Sequence, residues 1–182
     1  MISFISNEGA PSFDHPLEML HACHGKILQQ CETLNKMALH LNQQGVDTQV
    51  QQAAKNILRY FETAGKFHHL DEEEDLFPAL RAHKGFETTP LPALLERLLA
   101  EHIVMLASWD ALRSVLLELA EGKSLMLEAA IINNFITSYS DHIAIENTQL
   151  LPLAARLLTL QQLEFIGKKM AERRGAKFLF GQ

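Results

Sequence analysis

The chain contains two copies of one short motif. His68 and Glu72 stand four residues apart and precede a Leu-Phe-Pro segment, while His142 and Glu146 repeat that spacing before Leu-Leu-Pro, 74 positions later. Side chains four apart on an α-helix lie one above the other, about 6 Å along the axis. Each pair therefore presents an imidazole and a carboxylate on one helical face, and the repeat predicts a metal-binding site.

Composition favours a single helical domain. The chain has 182 residues, 47% of them apolar, with only 13 aromatic residues and 9 glycines, so helix is favoured over sheet. A net charge of −6 excludes the basic field that nucleic acids require. No apolar run is long enough to cross a membrane and no leader pattern is present, so we expect a soluble, cytoplasmic protein.

Helical periodicity and capping residues predict five helices. Asp14 with Pro16 begins the first helix, and Thr48 caps the second. Pro78 and Pro152 are expected to kink or end the second and fourth helices. The predicted spans are 14–45, from 48 through the first motif, 91–122, 124–158 and 159–174. We predict an antiparallel up-down four-helix bundle at residues 14–174 that includes a short fifth helix, with an irregular arm at 1–13 and a tail at 175–182.

The first helix of each hairpin repeats as well. The Leu-His-Ala-Cys-His segment ending at His24 aligns with the Leu-Leu-Ala-Glu-His segment ending at His102. These two histidines precede the paired motifs by 44 and 40 residues, which is enough for the rest of one helix, a turn and most of the next. A duplicated hairpin would therefore bring six side chains together: His24, His68, Glu72, His102, His142 and Glu146.

Histidine and glutamate suit iron, manganese or zinc, and the lack of thiolate ligands disfavours copper(I) or an iron–sulfur cluster. If two metal ions share both glutamates and each takes two histidines, every ion has four protein atoms and about two open positions. Cys23 and Cys31 are predicted to be inert thiols of the bundle.

Several assignments remain open at the level of sequence. His69 and Glu73 form an equally spaced pair, and only the alignment with the fourth helix favours His68 and Glu72. Three carboxylates of the acidic run at 71–75 are expected to be solvated, while Glu72 points inward. Glu73 and Glu101 are candidates to orient ligand imidazoles by accepting their second N–H group. The structural interpretation of Trp109 and Tyr139 is core packing, with a redox-active role as the alternative.

The sequence resembles the hemerythrin-like HHE cation-binding family in a set of features taken together. These are His24, the acidic tract that begins at His68, the Ala-Glu-His segment ending at His102, and the second motif. The resemblance covers about residues 14–174. It implies a four-helix bundle with two non-haem iron ions, which are joined by an oxo or hydroxo bridge and held by the six residues named above. Both glutamates would bridge the metals. Manganese and zinc stay open as alternatives.

The resemblance also separates functional hypotheses. Oxygen-carrying hemerythrins have a further histidine four residues before or after the one on the third helix, where this chain has Leu98 and Leu106. That difference favours binding of dioxygen, peroxide or nitric oxide in stress response, sensing or iron–sulfur centre repair. Alternatives are an iron storage or delivery protein and a helical interaction module without metal. The sequence identifies no protein partner and does not establish catalysis.

Overall fold

The computed structural model describes residues 12–123 and 126–176, and no strand occurs among them. The α-helices of these residues are α1 (Pro16–Gln44), α2 (Thr48–Tyr60), α3 (Lys66–Leu70), α4 (Phe77–Arg81), α5 (Leu91–Ala120), α6 (Ala129–Ile145), α7 (Leu151–Leu157) and α8 (Leu160–Arg173). The predicted all-α class is therefore confirmed. Within the described residues, none of the helices has the length and apolar character that a membrane span needs. The predicted arm, the tail and Ser124 fall largely outside these residues.

Three π-helical segments connect some of these helices: Phe61–Gly65, Asp71–Leu76 and Glu146–Leu150. In the second, the backbone N–H of Phe77 donates to the carbonyl of Glu72, and in the third, the N–H of Leu151 donates to that of Glu146. The second and third segments each end shortly before a proline, which has no N–H group to donate. The helical turn that begins at Glu72 and the one that begins at Glu146 therefore each contain one residue more than an α-helical turn. The chain stays helical past Pro78 and Pro152, so neither proline ends its helix.

Helix boundaries follow local capping chemistry. α1 stops at Gln44 because Gly45 adopts a left-handed φ of 75°, as predicted. The predicted cap of α2 was wrong by one residue: Asp47, rather than Thr48, accepts hydrogen bonds from the N–H groups of Gln49 and Val50. At α8, whose predicted span begins at residue 159, a capping box is present, with reciprocal hydrogen bonds between Thr159 and Gln162.

The chain forms two compact units. The first contains the described residues of Met1–His24, Phe67–Leu99 and Ile143–Gln182. Its core is apolar and draws on α1, α4, α5, α7 and α8. The core residues with no exposed surface are Leu20, Leu76, Phe77, Leu80, Leu91, Leu98, Leu150, Ala154, Ile166 and Met170. Because Ile166 and Met170 belong to this set, α8 is anchored in the first unit.

The second unit contains Gly25–Lys66 and Ala100–His142. Its core includes an aromatic cluster formed by Phe61, Trp109, Phe135 and Tyr139. The ring centroid of Phe61 lies 5.0–5.3 Å from those of the other three, within the range of favourable aromatic contacts. Trp109 and Tyr139 are therefore core residues, as the sequence predicted.

Candidate metal centre

Four of the predicted ligands meet in the first unit. His24 lies on α1 and His68 on α3, while Glu72 is the second residue of one π-helical segment and Glu146 the first residue of another. Each contributes a donor atom that lies within 4.8 Å of the donor atoms of the other three. Both histidines are 1% exposed and both glutamates are 0% exposed. Buried carboxylates are costly unless paired or bound to a metal, so this donor set fits a cation.

The ring nitrogens of the two histidines face the carboxylates. Nε2 of His24 lies 3.0 Å from Oε2 of Glu146 and 3.9 Å from Oε1 of Glu72. Nε2 of His68 lies 3.3 Å from Oε1 of Glu72. The two imidazole rings are perpendicular, with centroids 4.8 Å apart. Two imidazole nitrogens and two carboxylates thus converge on one buried volume of the first unit.

The outer nitrogen of His24 has a polar partner that the sequence analysis missed. Nδ1 of His24 lies 2.7 Å from Oδ1 of Asn147, the residue after Glu146. Because an amide oxygen only accepts, Nδ1 carries the hydrogen and Nε2 faces the carboxylates. Burial alone would lower the pKa of His24, but hydrogen bonds and charge from Glu146 and Glu72 outweigh it and raise this pKa to about 10.

The other two predicted ligands face each other in the second unit. His102 is 5% exposed and His142 is 1% exposed, and their Nε2 atoms are 3.0 Å apart. Nδ1 of His142 donates to Oε2 of Glu101 at 2.9 Å, as expected for a glutamate that orients an imidazole. This hydrogen bond leaves Nε2 of His142 directed at His102. The arrangement matches that of His24, whose outer nitrogen is likewise held by an oxygen acceptor.

The alternative pair on the second motif occupies a different environment. Glu73 is exposed and His69 is half-buried, whereas His68 and Glu72 are buried beside His24. His21, one turn before His24, is exposed. The structure therefore groups His68 and Glu72 with the other donors of the first unit and places Glu73 on the surface.

The prediction of three solvated carboxylates in the acidic run was wrong, because two of the five, Glu73 and Glu74, are exposed. Asp71 is 0% exposed and Asp75 is 6% exposed, rather than solvated. Both carboxylates are bound by Arg173, and Asp71 is also bound by Arg174. Charge complementarity between an acidic run and a distant arginine pair is the signal that could have identified the contact.

The repeat itself offered a signal for Asn147. Counting 74 positions back places Asn147 at the level of Glu73, a candidate imidazole-orienting residue by sequence. An amide oxygen can accept from an imidazole N–H as a carboxylate does. The motif could therefore have been extended by one residue in each copy.

A helical fold that buries histidines with glutamates defines the class of protein: a helical metal-binding domain. The chain matches the profile of the Hemerythrin HHE cation binding domain over residues 15–154, and it belongs to this family. A protein of Haemophilus influenzae, described as "Uncharacterized protein", is 32% identical over 167 residues, covering 91% of this chain and 94% of the relative. α8 follows the part of the chain that matches the family profile.

Proposed function

We propose that His24, His68, Glu72, His102, His142 and Glu146 hold two non-haem iron ions, with both glutamates bridging. The centre would bind a small oxygen or nitrogen species, namely dioxygen, peroxide or nitric oxide. We place this activity in stress response, sensing or iron–sulfur centre repair, in the cytoplasm. Bound iron would supply a redox-active Lewis acid with positions open to an exogenous ligand.

The single observation that carries the proposal is the buried group of His24, His68, Glu72 and Glu146. Two carboxylates with no exposed surface share this group with two imidazoles whose Nε2 atoms face them. Divalent cations offset the charge of such carboxylates, and imidazole with carboxylate is a donor set typical of iron, manganese and zinc. The preference for iron rests on membership of the family.

The side chains around the proposed ligands prepare them for a metal. Asn147 and Glu101 accept the Nδ1 hydrogens of His24 and His142, which fixes the tautomer with Nε2 available for coordination. Burial of the four donors in the first unit excludes bulk water from their donor atoms. Both effects reduce the reorganisation needed when a cation binds.

Two leucines distinguish this chain from an oxygen carrier. Leu98 is buried in the core of the first unit and Leu106 is 60% exposed, and neither can donate to a metal. A centre with six protein ligands leaves more open positions than one with an additional histidine. This supports ligand chemistry rather than simple reversible oxygen storage.

The reaction of the ferrous protein with small ligands tests the proposal. Stopped-flow absorption should show rapid spectral changes with nitric oxide or hydrogen peroxide, with iron retained against a chelator. A storage or delivery protein would instead lose iron rapidly and react little with either ligand. A helical interaction module would contain less than about one metal ion per chain after reconstitution.

Asn147→Leu should weaken iron binding by about 10–100-fold, the usual effect of losing an outer partner of a metal-bound histidine. The leucine cannot accept the Nδ1 hydrogen of His24, so the imidazole loses its fixed tautomer and orientation. Asn147→Asp keeps an oxygen acceptor and should retain tighter binding. Competition with a chromophoric chelator measures the affinities. Gln149→Leu, at an exposed position of the same segment, is the matched control and should bind as wild type.

A further inference from the structure

The C-terminal helix α8 ends in two arginines that reach the segment carrying Glu72. Arg173 and Arg174 are the last residue of α8 and the residue after it, and their side chains are 13% and 19% exposed. Both lie beyond residues 15–154, the part of the chain that matches the family profile. Their contacts are therefore not explained by the metal-binding motifs.

Arg174 binds Asp71 through both terminal nitrogens of its guanidinium group. Nη2 donates to Oδ2 of Asp71 at 2.6 Å, and Nη1 donates to Oδ1 at 3.1 Å. Nη1 also donates to the carbonyl of Met170 at 3.0 Å. The guanidinium centre lies 5.7 Å from the ring centroid of Phe67. Such a two-armed contact fixes direction as well as distance, because the fork of donors is planar and rigid.

Arg173 holds the same segment at two further points. It donates to Oδ1 of Asp71 and, through Nη2, to Oδ2 of Asp75 at 2.8 Å. Nη2 also donates to the exposed Glu74 at 3.0 Å. We call Arg173, Arg174, Asp71 and Asp75 the arginine clasp. It binds one residue directly before Glu72 and another three residues after it.

The clasp belongs to one copy of the repeat. The residues 74 positions after Asp71 and Asp75 are Ile145 and Gln149, neither of which is acidic. The π-helical segments Asp71–Leu76 and Glu146–Leu150 therefore carry equivalent glutamates, but only the first has acidic residues at the positions that the arginines bind. Because the arginine clasp contacts only the segment of Glu72, substitutions in the clasp should affect that segment and leave the segment of Glu146 unchanged.

We propose that the arginine clasp is a positioning element that sets the orientation of Glu72 toward the metal. This inference rests on the proposed function, since it assigns the clasp to a ligand of that centre. Arg173 and Arg174 themselves do not enter the metal site. They act through the backbone of the π-helical segment Asp71–Leu76, which carries Glu72. Ligand orientation by outer residues is a general determinant of metal affinity.

Arg174→Lys tests the clasp because it keeps the positive charge and removes the two-armed contact. Release of Co²⁺ to a chelator should accelerate about 10–100-fold, and the visible spectrum of bound Co²⁺ should shift. Arg156→Lys on α7, at an exposed position, is the matched control and should leave both unchanged. If Arg174→Lys does not fold, Arg173→Lys disturbs the same segment while Arg174 still binds Asp71.

Combination with ligand variants separates positioning from general destabilisation. In a Glu72→Asp background the effect of Arg174→Lys on Co²⁺ release should shrink, whereas in a Glu146→Asp background it should persist. If the clasp had a purely structural role, Arg174→Lys would accelerate Co²⁺ release by the same factor in both backgrounds. Equal additivity, or release at the wild-type rate in Arg174→Lys, would overturn the inference.

Amide hydrogen exchange of the metal-free protein keeps the inference distinct from the proposed function. Arg174→Lys should speed exchange at residues 72–77 and leave residues 146–151 unchanged, whether or not metal binds. If the wild-type protein binds no metal, the proposed function fails although this local effect remains. Unchanged exchange at 72–77 would overturn the clasp even in a protein that binds two metals.

Discussion

Glu72→Gln is expected to lower the affinity for ferrous iron by more than about 100-fold. This exceeds the usual loss of affinity when a residue that only hydrogen-bonds to a metal ligand is replaced. Glutamine matches glutamate in shape but is neutral, so it cannot bridge two cations as a carboxylate does. Glu72 has no exposed surface, and its carboxylate lies 3.3 Å from Nε2 of His68. Iron per chain, measured after anaerobic reconstitution and gel filtration, reports the loss.

Glu73→Gln is the comparison variant for this experiment. It makes the same chemical change one residue later, at an exposed position, and should lose much less iron than Glu72→Gln. The comparison also decides between the two registers that the sequence left open. Loss of iron in Glu73→Gln together with full retention in Glu72→Gln would contradict the proposed ligand set.

Metal removal is expected to cause the second large effect, a loss of thermal stability. Ferrous iron at about 100 times its dissociation constant stabilises a folded protein by about 2.7 kcal/mol per site. For a chain of this size, that corresponds to a melting temperature about 5–11 °C higher. Differential scanning fluorimetry of the reconstituted and chelator-treated protein should show this difference, and Glu72→Gln should show little of it.

The difference in thermal stability between the metal-bound and the metal-free protein should widen as the pH rises. In the metal-free protein the pKa of His24 is raised from 6.5 to about 10 because Glu146 and Glu72 favour its charged form despite burial. A raised pKa in the folded state stabilises the protein fully below pH 6.5, and the contribution fades as the pH rises through about 10. Metal-free protein should therefore be less stable at pH 9 than at pH 7. A gap that narrows over this range would contradict the assignment.

The helical fold and the spacing of the candidate ligands were accessible from the sequence because both are local patterns. A four-residue spacing places His68 with Glu72, and His142 with Glu146, on single helical faces whatever the rest of the fold. The repeat then separates Glu72 from Glu73, which the spacing alone cannot do. The structure buries Glu72 and exposes Glu73.

The contacts that local patterns missed join distant parts of the chain. Asp71 and Asp75 are buried because Arg173 lies beside them, although it is 102 and 98 positions away in sequence. A run of acidic residues without a visible partner predicts a solvated surface, since unpaired charges avoid burial. The partner of His24, Asn147, is 123 positions away. The π-helical segments were missed because a helical period does not reveal one extra residue in a turn.

Metal analysis combined with the absorption spectrum tests the central claim most directly. Protein reconstituted with ferrous iron and then exposed to air should contain about two iron ions per chain and show near-ultraviolet absorption from an oxo-bridged pair. Glu72→Gln should lose both signals. A wild-type protein that retains less than about one metal ion per chain, offered iron, manganese or zinc in turn, would contradict the proposed metal centre.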